Sequence, residues 1–219
     1  RANRLLARFV DEAFVGFPDA GSRLKVRKVS TTGTPVRSQF SADSNEPKLV
    51  QCRAALGLEP NRPVVLVMGG SQGASGLNNM VLSALPALGD RAAAWQWLHL
   101  TGTGDFDKVQ AAYSARGLNA IVKPFLAEMN LAIGAATISV SRSGASSFSE
   151  IATMRLPSLL VPYPTAADNH QWHNARAFEL TGAARLLEQK NATPDQTAAL
   201  LVELIENTAA RASLQTALA

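Results

Sequence analysis

From residue 64 onward, short apolar blocks alternate with amphipathic stretches. "VVLVMGG" (64–70) is continuously apolar before its glycines, as expected for a strand buried on both faces. "WQWLHLTG" (95–102), "NAIVKPF" (119–125), "TISVSRSG" (137–144), "PSLLVPYP" (157–164) and "AARLLEQ" (183–189) read as five more strands. Helical spacing fills the intervals at 73–88, 105–117, 126–136, 145–155, 168–182 and 193–214. The helix at 105–117 has acidic residues at its start and Gly117 at its end, and the last one opens on Thr-Pro-Asp. Six strand–helix alternations predict a Rossmann-like, doubly wound α/β fold: a parallel sheet of about six strands with helices on both faces.

The chain before residue 64 is less regular. "RANRLLARFVDEAFVGF" (1–17) reads as an amphipathic helix running into a strand, and 22–63 as a strand followed by a Ser-, Thr- and Pro-rich linker. Three segments result: 1–21, 22–63 and 64–219. The chain opens mid-helix without an initiator Met and reads as a piece of something longer.

In a doubly wound sheet, ligands bind outside the carboxyl ends of the strands. That directs attention to the loops at 69–75, 101–105, 124–127, 141–147 and 162–171. In the first, Gly69, Gly70 and Gly73 let backbone approach a ligand, and the helix-start amides with Ser71 can hold a phosphate; a tight turn that needs glycine is the plainer reading. Neither a P-loop lysine nor the dinucleotide G-x-G-x-x-G spacing is present, which argues against a nicotinamide dehydrogenase. In the fourth loop, Gly144 and Ala145 open a second helix with free amides. Glu150, on its second turn, can accept from a ribose diol, or can form a capping box with Ser147. Arg142 can bind a ligand or pair with an acid. Phe125, after Pro124, can bracket a flat base while backbone at Leu126 reads its edge; a core Phe is the plainer reading.

The last loop, "VPYPTAADNHQWHNA" (161–175), concentrates polar side chains. A metal site from Asp168, His170 and His173 fits poorly, because i and i+2 do not share a helix face. A polar cup fits better: Asp168 and Asn169 start the helix, and Gln171 offers donor and acceptor to sugar hydroxyls.

Composition narrows the classes further. The only cysteine, Cys52, excludes an internal disulfide framework. A net charge of +4 without a Lys/Arg run argues against a dedicated nucleic-acid binder and leaves room for an anionic ligand. No apolar run approaches the ~20 residues that span a bilayer.

In combination, "VLVMGGSQGASGLN", "HLTGTGD", "VKPFLAEM", "SRSGASSFSEIA", "PSLLVPYPTAADNHQWHNA" and "GAARLLEQ" resemble the C-terminal domain of the MurG family of bacterial peptidoglycan glycosyltransferases. The resemblance covers roughly residues 1–215. It implies a GT-B fold and an inverting transfer of N-acetylglucosamine from UDP-GlcNAc to undecaprenyl-diphosphate-linked muramyl-pentapeptide. That reaction needs no cofactor and no metal, and takes place at the inner leaflet of the cell membrane. The donor contacts carried over are Arg37, Ser71, Leu126, Ala145, Ser146, Ser147, Phe148, Ser149, Glu150 and Gln171. Gly70, Gly73, Phe125, Gly144 and His170 support them. Glu150 takes the ribose hydroxyls and Gln171 the sugar. Thr34 stands where the family's Gly-Asn-Pro-Val-Arg linker has Asn. The catalytic base and the acceptor and membrane contacts are expected upstream of residue 1. Rival readings are the nucleotide-sugar subunit of a split glycosyltransferase and a related GT-B enzyme such as a UDP-GlcNAc epimerase.

Overall fold

Strand blocks that are apolar at every position must be covered on both sides, and the structure covers them. It is a computed structural model that describes residues 2–16, 18–22, 24–40, 46–70 and 73–219. The chain divides into two units between Arg37 and Ser38.

The first unit holds α1 (Ala2–Leu6), a 3-10 turn at Ala7–Phe9, β1 (Glu12–Val15), α2 (Pro18–Gly21) and β2 (Lys28–Thr31). β1 and β2 pair in parallel with Glu12 opposite Lys28. The Glu12 carboxylate sits 3.0 Å from Lys28 Nζ and accepts from Ser30 Oγ at 2.6 Å.

The second unit runs α3 (Glu46–Ala55), β3 (Val64–Met68), α4 (Ser75–Leu88), α5 (Asp90–Ala94), β4 (Gln96–Leu100), α6 (Phe106–Ser114), β5 (Ala120–Lys123), α7 (Met129–Ala135), β6 (Ile138–Ser141), α8 (Ala145–Thr153), β7 (Ser158–Leu160), α9 (His170–Leu180), β8 (Arg185–Leu186), α10 (Pro194–Glu206) and α11 (Thr208–Ala217). Its six strands form one parallel sheet in the order β5-β4-β3-β6-β7-β8. The chain winds outward from β3 to β5, returns to the centre at β6, and winds outward the other way. The switch point lies between β3 and β6.

Alternation along each strand sorts side chains between two layers. Val65, Val67, Trp97, Ile138, Val140 and Leu159 join the core beneath α4 and α10. Residues of the other parity, such as Leu66 and Leu98, are equally buried on the side where α3 packs on α7. Cys52 of α3 abuts Gly134 of α7 there, and no larger residue fits at Gly134 without moving the thiol. Arg53 anchors the same layer by donating to Ala135 O at 3.0 Å and Thr137 Oγ1 at 3.1 Å.

Five boundaries differ from the sequence reading. The stretch 22–63 contains α3, whose inward face carries Arg53 and so lacks a clean apolar stripe. Gly89, at φ 55°, ends α4, and α5 follows as a separate turn. The predicted helix 193–214 breaks at Asn207, whose side chain accepts from Ala210 N at 2.9 Å and caps a new helix. The last strand is only two residues long. The helix predicted to open at Asp168 begins at His170 instead. Other signals hold. Thr193 forms a capping box with Gln196. Gly117, at φ 60°, lets Leu118 N reach back to Tyr113 O at 3.2 Å.

Candidate functional site

The loops after β3 and β6 meet at the switch point, where Arg142 N donates to Met68 O at 3.3 Å. The first loop turns on Gly70 and Gly73, at φ 93° and 73°, closed by Gly73 N to Gly70 O at 3.0 Å. A side chain at Gly73 would stand 2.6 Å from Thr101 O, so glycine is required there by space as well as by φ. Ala74 caps α4 without a side-chain bond, and Asn78 N is the first amide to bond back into the turn, at 2.9 Å to Ala74 O. The amides of Ser75, Gly76 and Leu77 therefore have no helical partner and face outward at the positive end of the helix.

A buried polar network underlies this start. Asn78, 1 % exposed, donates from Nδ2 to Thr101 O at 3.0 Å and to Asp105 Oδ2 at 2.8 Å. Its Oδ1 lies 3.0 Å from His99 Nε2, and His99 Nδ1 lies 3.1 Å from the Tyr113 hydroxyl. Because the amide oxygen must accept, Nε2 carries the imidazole proton and Nδ1 accepts from tyrosine. Burial pushes the His99 pKa down to about 3, keeping the ring neutral, and pushes the Tyr113 phenol up. Hydrogen bonds from Ser75 and Asn78 hold Asp105 below the usual carboxylate range. Sequence reasoning missed this network. Its signal was an Asn inside the apolar stripe of one helix and a His inside an apolar strand.

The second start is built differently. Gly144 caps α8 in extended conformation with no side-chain bond, and Phe148 N is the first amide to bond back, to Gly144 O at 3.0 Å. Ala145, Ser146 and Ser147 present free amides. The alternative capping box between Ser147 and Glu150 does not form, because the cap is Gly144. Glu150 is half-buried on the second turn. The other residues of this run turn elsewhere. Ser149 Oγ donates back to Ala145 O at 2.8 Å. Phe148 is buried edge-on to Phe178 at 4.1 Å, with its amide already engaged, so its ring packs the helix down.

The loop before α9 contributes the third wall. Asp168 and Asn169 both adopt the left-handed region, at φ 51° and 53°. That tight reversal brings Gln171 back against the chain: its Oε1 accepts from Tyr163 N at 3.0 Å, which points its NH2 group away from that bond. Ser143 Oγ donates to Gln171 O at 2.8 Å and Asn174 Nδ2 to Ser143 O at 3.0 Å, stapling α9 to the start of α8. Neither Ser143 nor Asn174 stood out in the sequence. His170 Nδ1 bonds Ala167 O at 2.8 Å, and His173 stands edge-on to Trp172. Among the described residues, no three His, Cys, Asp or Glu side chains gather as a metal-binding group.

Beside the α4 start and the loop before α9 lies a cavity of about 600 Å³, lined by Gly69, Gly73, Ala74, Ser75, Gly76, Arg142, Tyr163 and Gln171, and not by Gly144 to Glu150. The structure thus brings Gly73 and Gln171 to one cleft, with Gly70 in the turn beside it. At the end of β5, the Leu126 side chain is buried while Phe125 is 64 % exposed. Ser71 lies outside the described residues. Arg37 is exposed at the end of the first unit.

The second unit's doubly wound parallel sheet, with two glycine-opened helix starts at its switch point, is matched among GT-B glycosyltransferases. Residues 64–218 match the glycosyltransferase family 28 C-terminal domain, and the chain belongs to that family. It is 39 % identical over 197 residues to the UDP-N-acetylglucosamine–N-acetylmuramyl-(pentapeptide) pyrophosphoryl-undecaprenol N-acetylglucosamine transferase of Anaeromyxobacter sp., covering 90 % of this chain and 49 % of that one. The enzyme of the same name from Synechococcus elongatus is 40 % identical over 94 % of this chain and 54 % of its own. The chain spans about half the length of these curated relatives. Among solved structures, MurG of Acinetobacter baumannii superposes with a TM-score of 0.67 at 26 % identity, over 96 % of this chain and 64 % of that one.

Proposed function

We propose that this chain is the donor-binding half of an inverting glycosyltransferase that moves N-acetylglucosamine from UDP-GlcNAc to undecaprenyl-diphosphate-linked muramyl-pentapeptide in peptidoglycan synthesis. The observation that carries the reading is the pair of helix starts on either side of the switch point, each without a side-chain cap and each leaving its first three amides without a helical partner among the described residues. Such starts suit a diphosphate.

In the transfer, an acceptor hydroxyl oxygen forms a bond to C1 of the sugar. The bond from C1 to the diphosphate breaks, and its electron pair leaves with UDP. Charge therefore grows on the diphosphate, where fixed amides and helix dipoles stabilise it without reorganising. The hydroxyl proton passes to a base outside this chain. Phe125 and the Leu126 backbone are assigned to uracil, Glu150 to the ribose, and Ser71 and the amides of Ala145–Ser147 to phosphate. Gln171 is assigned to the sugar: with its oxygen engaged by Tyr163 N, it serves as a donor to hydroxyl lone pairs. Acceptor and inner-leaflet contacts are assigned to the part of the longer relatives beyond this chain. No helix among the described residues is long and apolar enough to cross a membrane.

Calorimetric titration with UDP-GlcNAc tests the proposal. Saturable binding that survives EDTA and weakens in Glu150→Ala and Gln171→Ala is expected. Binding left unchanged by both substitutions would overturn the site assignment.

A further inference from the structure

Arg142 stands at the switch point and is 6 % exposed. Its guanidinium donates to Val161 O at 3.1 Å, to Pro162 O at 3.0 Å and to Gln189 Oε1 at 2.7 Å. It also lies 5.5 Å from the centre of the Tyr163 ring. All of these partners are neutral. Among the described residues no carboxylate pairs with Arg142, and its Nε–H has no acceptor. Burying a cation with no counter-charge is costly, and a merely structural strut across these carbonyls needs no charge. An orphaned buried donor calls for its own explanation.

The position supplies one. Arg142 forms part of the lining of the 600 Å³ cavity, between the strands whose carboxyl ends open α4 and α8. The positive end of α4 and one unanswered guanidinium share that lining, and the strand that ends just before Arg142 leads on into α8. The same side chain fixes Val161 O and Pro162 O, directly before the Tyr163 N–H that orients Gln171.

We propose that Arg142 is a ligand-binding residue of this cleft, whose counter-charge arrives as the diphosphate of the bound nucleotide. This rests on the donor-site reading above and adds a fixed cation to the amides already described. The guanidinium would oppose the charge that collects on UDP as the bond to C1 breaks.

The test compares UDP with uridine, which lacks phosphate, by calorimetry on the wild-type chain, Arg142→Gln, Arg142→Lys and Gln189→Leu. Arg142→Gln is expected to weaken UDP by about 30-fold or more while uridine changes by less than about threefold. Arg142→Lys, which keeps the charge, is expected to hold the UDP-to-uridine preference within about fivefold, and Gln189→Leu likewise, because it removes a neutral partner only. A preference that survives Arg142→Gln, or UDP and uridine falling together in a folded variant, overturns the inference and makes Arg142 a strut. If Arg142→Gln does not fold, a folded Arg142→Lys decides alone: retained preference supports the inference and lost preference overturns it. A wild-type chain that binds neither UDP nor UDP-GlcNAc overturns the donor-site reading itself, which the variants then do not bear on.

Discussion

The starts of α4 and α8 expose the same number of free amides, yet they are held in place by different means. The α4 start rests on a buried side-chain network of Asn78, His99, Tyr113 and Asp105, and its glycine is pressed against Thr101 O. The α8 start has no such base. Gly144 has open space where a side chain would stand, and the loop is held from outside by Gln171 and Asn174 of α9. One start is rigid because of what lies beneath it. The other is as rigid as the helix stapled to it, so a ligand that engaged Gln171 would also bear on the amides at the start of α8.

Substitutions can break this contrast. The largest effect is expected from Asn78→Leu, which strands His99 Nε2 and an Asp105 oxygen: a loss of roughly 3 kcal/mol in denaturant unfolding. Gly73→Ala follows, at roughly 2–3 kcal/mol, from positive φ combined with the clash at Thr101 O. The pH dependence of the α4 network comes next. Unfolded His99 takes up a proton near pH 6.5, while in the folded chain it does so only at about pH 3. Between those values the unfolded state binds the extra proton, so stability falls as pH drops, with a limiting slope of about 1.4 kcal/mol per pH unit. Unfolding curves of His99→Gln measured against pH should lack that component.

The α8 start sharpens the contrast through ligand binding. Gly144 already has φ −65° and ψ 137°, the geometry a following proline demands. Ala145→Pro should leave the melting temperature unchanged, because proline is welcome at the first helical position, while deleting one outward amide. UDP affinity should fall roughly tenfold in calorimetry. The smallest effect belongs to Gly144→Ala, expected within about 0.5 kcal/mol of wild type by thermal melting, since the site has ordinary φ and room for a methyl group.

The alternating blocks made the sheet, its helices and the loops at the carboxyl ends of its strands legible, because strands buried on both faces announce themselves as unbroken apolar runs. Elements whose inner face carries charge were not legible. Arg53 hides α3 by substituting hydrogen bonds for an apolar stripe, and Asn207 hides a helix break by capping it. The candidate site was legible as glycine spacing and polar clusters along one loop. Contacts between distant segments were not. Nothing local links Asn78 to His99, Arg142 to Gln189, or Ser143 to Asn174. Phe148 shows the converse case: it stands inside a contiguous motif, yet its ring packs against Phe178, because a helix turns successive residues to different sides.

The strand order has a consequence for synthesis. Val65 of the central strand pairs with Ile138, some 70 residues downstream. At ribosomal rates of roughly 5–20 residues per second, the apolar edge of β3 waits several seconds after emerging before its second neighbour exists. The crevice that collects the candidate ligand groups is thus the seam whose first strand waits longest for its partner on the nascent chain, and until that partner arrives, the most hydrophobic strand presents an open edge to other chains.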